Sequence, residues 1–250
     1  MQLRRTKIVA TLGPATDDLE ILEKTLAAGV DTVRLNFSHG TAADHKKRIE
    51  AVRKISKKLD KEIGVLADLQ GPKIRISKFK NLKIKLNAGD SFILDADLDS
   101  EQGDQTQVGI DYKNLPNDVT KGDTLLLDDG RLVFEVTEVK GKKIHCTVTT
   151  GGILSNNKGI NRLGGGLSAK ALTDKDKEDL KIAVALDVDY IAISFPRSAQ
   201  DVEEAKLLIK QAGGNQGIIS KIERAEAVTE LDAIIEASSW AMVARGDLGV

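Results

Sequence analysis

The stretch KIVATLGPATDDLEILEKTLAAGVDTVRLNF, Lys7–Phe37, decides the fold class. It begins and ends in short runs of β-formers, Lys7–Leu12 (KIVATL) and Thr32–Phe37 (TVRLNF), the first closed by Gly13-Pro14. Apolar runs of this length bounded by turn residues suit strands buried on both faces. Between them Thr16 and Asp17 open a helix that carries Leu19, Leu22 and Leu26 at helical spacing, and Gly29 stops it. The rhythm then repeats. Ala42–Leu59 reads as a second helix with Ile49, Val52, Ile55 and Leu59 inward, and Ile63–Leu69 as a third strand. Strand, helix, strand, helix, strand predicts a parallel sheet with crossover helices.

At Gly71-Pro72 the texture changes. From there to about Gly166 turn chemistry recurs (Asn87-Ala88-Gly89-Asp90, Lys121-Gly122-Asp123, Asp128-Asp129-Gly130, Lys140-Gly141-Lys142) between β-rich runs at Ser91–Leu94, Thr124–Leu127, Leu132–Val139 and Lys143–Thr149. This predicts an all-β insert of roughly ninety to a hundred residues, a small domain in size. Gly164-Gly165-Gly166 reads as the returning hinge. The first rhythm then resumes: a helix capped by Thr173, a strand at Tyr190–Phe195, a helix capped by Ser198, a strand at Gly217–Ile222, a helix over Ala225–Ala237 and a strand at Trp240–Ala244. Six βα-type units with an insert after the third strand predict an α/β fold, a partial TIM-type (β/α)8 barrel carrying a small all-β lid domain. The expected domains are 1–70 and 168–250 for the barrel and 71–167 for the insert. Closure needs eight strands, so the expectation is a chain truncated before the last two.

Composition excludes several function classes. Lys plus Arg (37) nearly balances Asp plus Glu (38) in the 250 residues, for a net charge of -1, which argues against a nucleic-acid binder. Eight aromatic residues are too few for base-stacking platforms. One cysteine, Cys146, forms no internal disulfide and fits a reducing compartment; in its alternating strand it reads as core rather than nucleophile. No apolar run approaches the ~20 residues of a membrane span. The expectation is a cytoplasmic protein with neither nucleic-acid nor membrane partner.

In barrels of this kind the chemistry sits at the carboxyl ends of the strands. The second strand ends in Arg34, Asn36 and Ser38, which share parity; the third ends in Asp68, with Lys73 and Arg75 beyond. Lys221 and Glu223 lie two apart on the fifth, and the sixth runs into Arg245-Gly246-Asp247. Any one of these could be an ordinary wet strand end; four such ends together form a pattern. Carboxylates from separate strands, Glu223 and Asp247, suit Mg²⁺. Arg34 and Lys221 suit an anionic substrate, with phosphate the natural candidate, and the Gly246 amide allows close approach. Such parts fit phosphoryl transfer. There is no Walker A loop, and three scattered histidines with one cysteine give no zinc site. His39 follows the Arg34 cluster and could touch a ligand; His45 and His145 are assigned no role.

TKIVATLGPAT (Thr6–Thr16), VRLNFSHG (Val33–Gly40), DLQGPKIR (Asp68–Arg75), IISKIE (Ile218–Glu223) and MVARGDLGV (Met242–Val250) resemble, in order and spacing, the pyruvate kinases. The resemblance implies Mg²⁺-dependent (or Mn²⁺-dependent) phosphoryl transfer from phosphoenolpyruvate to ADP, giving pyruvate and ATP in glycolysis. It implies that Arg34 binds the substrate phosphate and that Lys221 is catalytic, stabilising the phosphoryl group in flight. Glu223 and Asp247 would hold the divalent metal, with the Gly246 amide at the substrate. Asn36, Ser38, Asp68 and the Leu69 carbonyl match the K⁺ site, and Asn36, Phe37, Ser38, His39, Arg75 and Lys158 (in NNKGIN) match nucleotide contacts. Lys73 departs from the pattern, since K⁺-dependent members carry glutamate there; the expectation is that its ammonium replaces K⁺ or weakens its binding, the alternative being a lysine that points to solvent and leaves the ion site working as usual. The resemblance further implies a homo-oligomer, a tetramer at full length, and residues 1–250 inactive alone. Two rival readings are a Mg²⁺-dependent carbon–carbon lyase on a similar barrel and a non-catalytic fragment. The insert with its own lysine and the paired SKIE and GDLG strings favour the kinase.

Overall fold

The computed structural model describes residues 4–249, so Val250 of the last quoted string lies outside the described residues. The chain divides into two compact units. The first comprises the stretch up to Pro72 together with Lys170–Ile222 and Glu230–Val243; the second comprises Lys73–Ala169, Glu223–Thr229 and the stretch from Ala244 on.

In chain order the first unit opens with β1 (Val9–Leu12), a 3₁₀ turn at Pro14–Thr16, α1 (Leu19–Ala27), β2 (Thr32–Asn36), α2 (Ala42–Leu59) and β3 (Gly64–Asp68). The second unit then contributes β4 (Lys83–Leu86), β5 (Ser91–Asp95), β6 (Gln107–Gly109), α3 (Leu115–Asp118), β7 (Thr124–Leu127), β8 (Leu132–Lys140), β9 (Lys143–Thr150), β10 (Gly152–Ser155) and β11 (Ile160–Arg162). The chain continues with α4 (Asp174–Ala185), β12 (Tyr190–Ile193), α5 (Ala199–Gln211), β13 (Gly217–Ile222), α6 (Ala225–Thr229), α7 (Leu231–Ala237), β14 (Trp240–Val243) and α8 (Arg245–Leu248).

Six strands of the first unit form one sheet in the order β1-β2-β3-β12-β13-β14, every neighbouring pair parallel. Strand order that follows chain order without reversal is barrel order; a doubly wound sheet reverses at a switch point. The architecture is therefore a partial (β/α)8-type barrel sheet. Its inner strands are buried on both faces, with Val65, Ala67, Ile191, Ala192 and Ile193 all fully enclosed. The two outer strands are not: Val9 is 52% and Trp240 61% exposed.

The helix starts have local causes. Asp18 caps α1 by accepting the Glu20 and Ile21 N–H groups. Thr41 with Asp44 and Thr173 with Asp176 form reciprocal capping boxes at α2 and α4. Four sequence expectations need correction. The α1 cap is Asp18 rather than Thr16 or Asp17, so Leu19 sits at the first helical position, exposed, while Leu22 and Leu26 are buried. Leu59 is only half-buried at the end of α2. Ser198 makes no capping bond; instead Asp201 takes the Arg197 N–H at 2.9 Å. Ala225–Ala237 is two helices, broken at Glu230.

The second unit is β-rich. One sheet runs β11-β7-β8-β9-β5-β6 and a two-stranded sheet pairs β10 with β4. Leu94, Leu125, Phe134, Ile144 and Cys146 lie in its apolar core, where Phe92 meets Phe134 edge-on. Glu226 accepts the Gly166 N–H at 2.6 Å and Arg224 donates to the Leu167 carbonyl at 2.7 Å, fastening residues 223–229 to the glycine run. Gly164, Gly165 and Gly166 all have positive φ, a conformation that side chains disfavour. Among the described residues no helix is long and apolar enough to cross a membrane.

Candidate active site

Register in the parallel sheet sets the site. Thr11 lies opposite Arg34, Asn36 opposite Asp68, and Asp68 opposite Ala192, so the polar ends of β1, β2 and β3 stand side by side. Asp68, 2% exposed, is the hub. Arg34 donates to its Oδ2 through Nε at 2.6 Å, with Nη2 at 2.5 Å from the same oxygen, and Nη1 donates to Thr11 Oγ1 at 2.9 Å. Lys221, on β13, brings its Nζ to 3.4 Å from Asp68 Oδ1. The same Nζ donates to Ser194 Oγ at 2.8 Å, and Ser194 Oγ donates to the Leu69 carbonyl at 2.7 Å.

Arg34 and Lys221 thus flank one buried carboxylate, Asp68. Three of the five guanidinium N–H groups face Asp68 and Thr11, which leaves two for an anion. Asp68 acts as a brace: it fixes two long, mobile side chains and lowers the cost of holding them partly out of water.

The turn after β2 is held from several directions. The Phe37 N–H donates to the Asp68 carbonyl at 2.9 Å, Asn36 Oδ1 accepts the Ser38 N–H at 3.0 Å, and the His39 N–H returns to the Asn36 carbonyl at 3.1 Å. Lys175, itself paired with Asp179, donates to the Phe37 carbonyl at 3.0 Å. The Phe37 ring stacks on the buried His45 imidazole, centroids 4.2 Å apart at 11°. Burial, followed by the Arg48 charge, depresses the pKa of His45 and keeps the ring neutral.

The remaining sequence candidates belong to the second unit. Lys158 pairs with Asp128 at 2.7 Å. Arg75 donates its N–H to Asp111 at 2.7 Å and borders an open cavity of about 310 Å³ that Lys78, Ser100 and Asn157 also line. Glu223 is 4% exposed, Asp247 is exposed in α8, and there is open space where a Cβ on Gly246 would point. Lys73 is half-buried. The structure brings together Arg34, Asp68, Leu69 and Lys221, with Asn36 and Ser38 on the adjoining turn. Sequence reasoning missed Ser194, Thr11, His45, Lys175 and Asp128. Of these only Thr11 carried a signal, as the last polar residue before Leu12 closes the first strand.

Among the described residues no group of three or more His, Cys, Asp or Glu side chains is gathered. Glu223 and Asp247 each offer carboxylate oxygens, donors of the kind a hard divalent cation takes rather than zinc. For a monovalent cation the fit rests on Asp68 Oδ1, a buried carboxylate oxygen without a hydrogen bond.

A partial (β/α)8-barrel sheet with Arg34 and Lys221 braced on Asp68 at its strand ends defines the class, a (β/α)8-type barrel protein with its ionisable residues gathered at the carboxyl ends of the strands. Residues 3–250 match the family model described as pyruvate kinase, barrel domain. The chain is 58% identical over 252 residues to pyruvate kinase II of Salmonella typhimurium, covering 100% of this chain and 52% of that protein. It is 58% identical to the pyruvate kinase of Haemophilus influenzae (100% and 53%) and 40% identical to that of Thermococcus litoralis (98% and 51%). The chain belongs to the pyruvate kinase family. It spans about half the length of the curated relatives it matches.

Proposed function

We propose that the full-length protein transfers the phosphoryl group of phosphoenolpyruvate to ADP, giving pyruvate and ATP. The observation that carries this reading is the Arg34–Asp68–Lys221 cluster at the strand ends of a family member. Arg34 offers two N–H groups to the substrate phosphate. Lys221 meets the charge that gathers on the phosphoryl oxygens as the bond to the enol oxygen breaks and the bond to an ADP phosphate oxygen forms. The released enolpyruvate then takes a proton at carbon to become pyruvate.

Glu223 and Asp247 are the residues we assign to a divalent cation, Mg²⁺ or Mn²⁺, with the Gly246 amide at the substrate. Such an ion supplies Lewis-acid stabilisation of the phosphoryl oxygens. Asn36, Ser38, Asp68 and the Leu69 carbonyl are assigned to the monovalent-cation position, where the Lys73 ammonium replaces the ion or weakens its binding. Asn36, Phe37, Ser38, His39, Arg75 and Lys158 are assigned to the nucleotide. Residues 71–167 act as a lid domain inserted between barrel segments 1–70 and 168–250. The working form is a cytoplasmic homo-oligomer, and residues 1–250 alone do not turn over. A coupled assay of the full-length enzyme for ATP and pyruvate, with phosphoenolpyruvate and ADP each omitted in turn, tests the reading. Product that requires both supports it. Pyruvate released without ADP would favour a lyase.

A further inference from the structure

Lys221 is held by more than the charge of Asp68. At 3.4 Å Asp68 Oδ1 supplies attraction but little direction, because a strong charge-assisted hydrogen bond is shorter. Direction comes from Ser194. Its hydroxyl has one hydrogen, donated to the Leu69 carbonyl at 2.7 Å, so a lone pair is turned to the Lys221 ammonium at 2.8 Å. Ser194 is 1% exposed.

The register explains the meeting. Ile193 lies opposite Ser220, so one step further along the parallel pair sets Ser194 beside Lys221. The hydroxyl thereby links the ends of three neighbouring strands, β3, β12 and β13. Its own position is fixed from two sides. The next residue, Phe195, has φ +56, an uncommon and strained value for a bulky residue. Across from it, Gly71 packs so closely that a Cβ there would lie 2.7 Å from Ser194 Cβ. Strained backbone and a close glycine around one buried hydroxyl show a rotamer determined by its surroundings. A lysine has a flexible four-carbon stem, and a misplacement of about 1 Å at a reacting group can cost on the order of 10²-fold in rate.

We propose that Ser194 is a positioning residue for Lys221, aiming its ammonium at the transferring phosphoryl group. This rests on the reading of Lys221 given above. The test uses the full-length enzyme as wild type, Ser194→Ala, Lys221→Met and the double variant. Ser194→Ala is expected to lower kcat about 10–100-fold with the phosphoenolpyruvate KM within about twofold, and to add less than about twofold in the Lys221→Met background. Losses that multiply in the double variant, or a Ser194→Ala kcat within twofold of wild type, overturn the proposal. A second measurement is independent of turnover. The rate at which Lys221 is labelled by trinitrobenzenesulfonate should rise several-fold in Ser194→Ala. Lys61, which is tied to the Leu26 and Ala27 carbonyls, should be labelled at an unchanged rate and so report an intact sheet. An unchanged Lys221 rate overturns the anchoring, whereas a wild type without turnover but with the Lys221 effect retires only the functional reading.

Discussion

The carboxylate of Asp176 accepts the backbone N–H of Gly71 at 3.0 Å, across 105 residues of chain. Asp176 is fully buried, and its other oxygen closes the capping box of α4 on Thr173. One side chain thus starts a helix and pins the backbone where the chain leaves β3. Asp176→Ala removes a cap and leaves a buried N–H unmet, so a loss of about 2–4 kcal/mol is expected, with Asp176→Asn milder. Urea denaturation checks both; a loss under 1 kcal/mol for Asp176→Ala would contradict the pinning.

Gly71 is constrained twice, by φ +67 and by Ser194 and Phe195 against its Cα. Gly71→Ala should therefore destabilise the first unit and raise the labelling rate of Lys221. A stable variant with normal Lys221 protection would show that the contact is loose.

His45 makes acid stability a test of its burial. Its folded pKa lies below the ordinary 6.5, held down by burial and then Arg48, against the opposing Asp44, Asp179 and His39 backbone. As pH falls below about 6.5 the unfolded chain binds a proton that the folded chain refuses, so stability declines until the folded pKa is passed. His45→Phe keeps a ring against Phe37 and should flatten the slope of unfolding free energy between pH 7 and 5.5. An unchanged slope assigns the acid sensitivity elsewhere.

Much of the barrel was legible because its strands are short runs of β-formers between turn residues, and α2 matches the Ala42–Leu59 expected from the Ile49–Val52–Ile55 stripe. The stretch Lys73–Ala169 was legible as β but not strand by strand. KIKL at Lys83–Leu86 alternates with charge, and Gln107–Gly109 and Ile160–Arg162 are only three residues long. Arg34, Asp68 and Lys221 stood out as ionisable residues at strand ends. Ser194 did not, because a serine there is unremarkable until the register sets it beside Lys221. His45 was read as part of a helix face, and nothing local told that it packs on Phe37.

Cys146 is buried, and burial pushes its thiol up to about 12. A thiol so far from the thiolate is a poor nucleophile. It should resist a disulfide reagent at pH 8 in the folded protein and react within minutes in denaturant. Fast reaction under native conditions would mean that β8 and β9 open readily.

Lys73 is the residue we propose as replacing the monovalent ion or weakening its binding. An ammonium where K⁺-dependent relatives carry glutamate changes the local charge by two units. Turnover of the full-length enzyme is expected to be nearly independent of K⁺ in a tetraalkylammonium background at constant ionic strength, and Lys73→Glu should confer K⁺ activation. Strong saturable activation of the wild type would leave Asp68 and its neighbouring oxygens as the deciding ligands.

Steady-state kinetics of Lys221→Met in the full-length enzyme test the central claim most directly. A cation that acts on the phosphoryl group in flight lowers kcat by about 10³-fold or more when removed, with little change in the phosphoenolpyruvate KM. A raised KM with kcat preserved would make Lys221 a binding residue only and contradict the account.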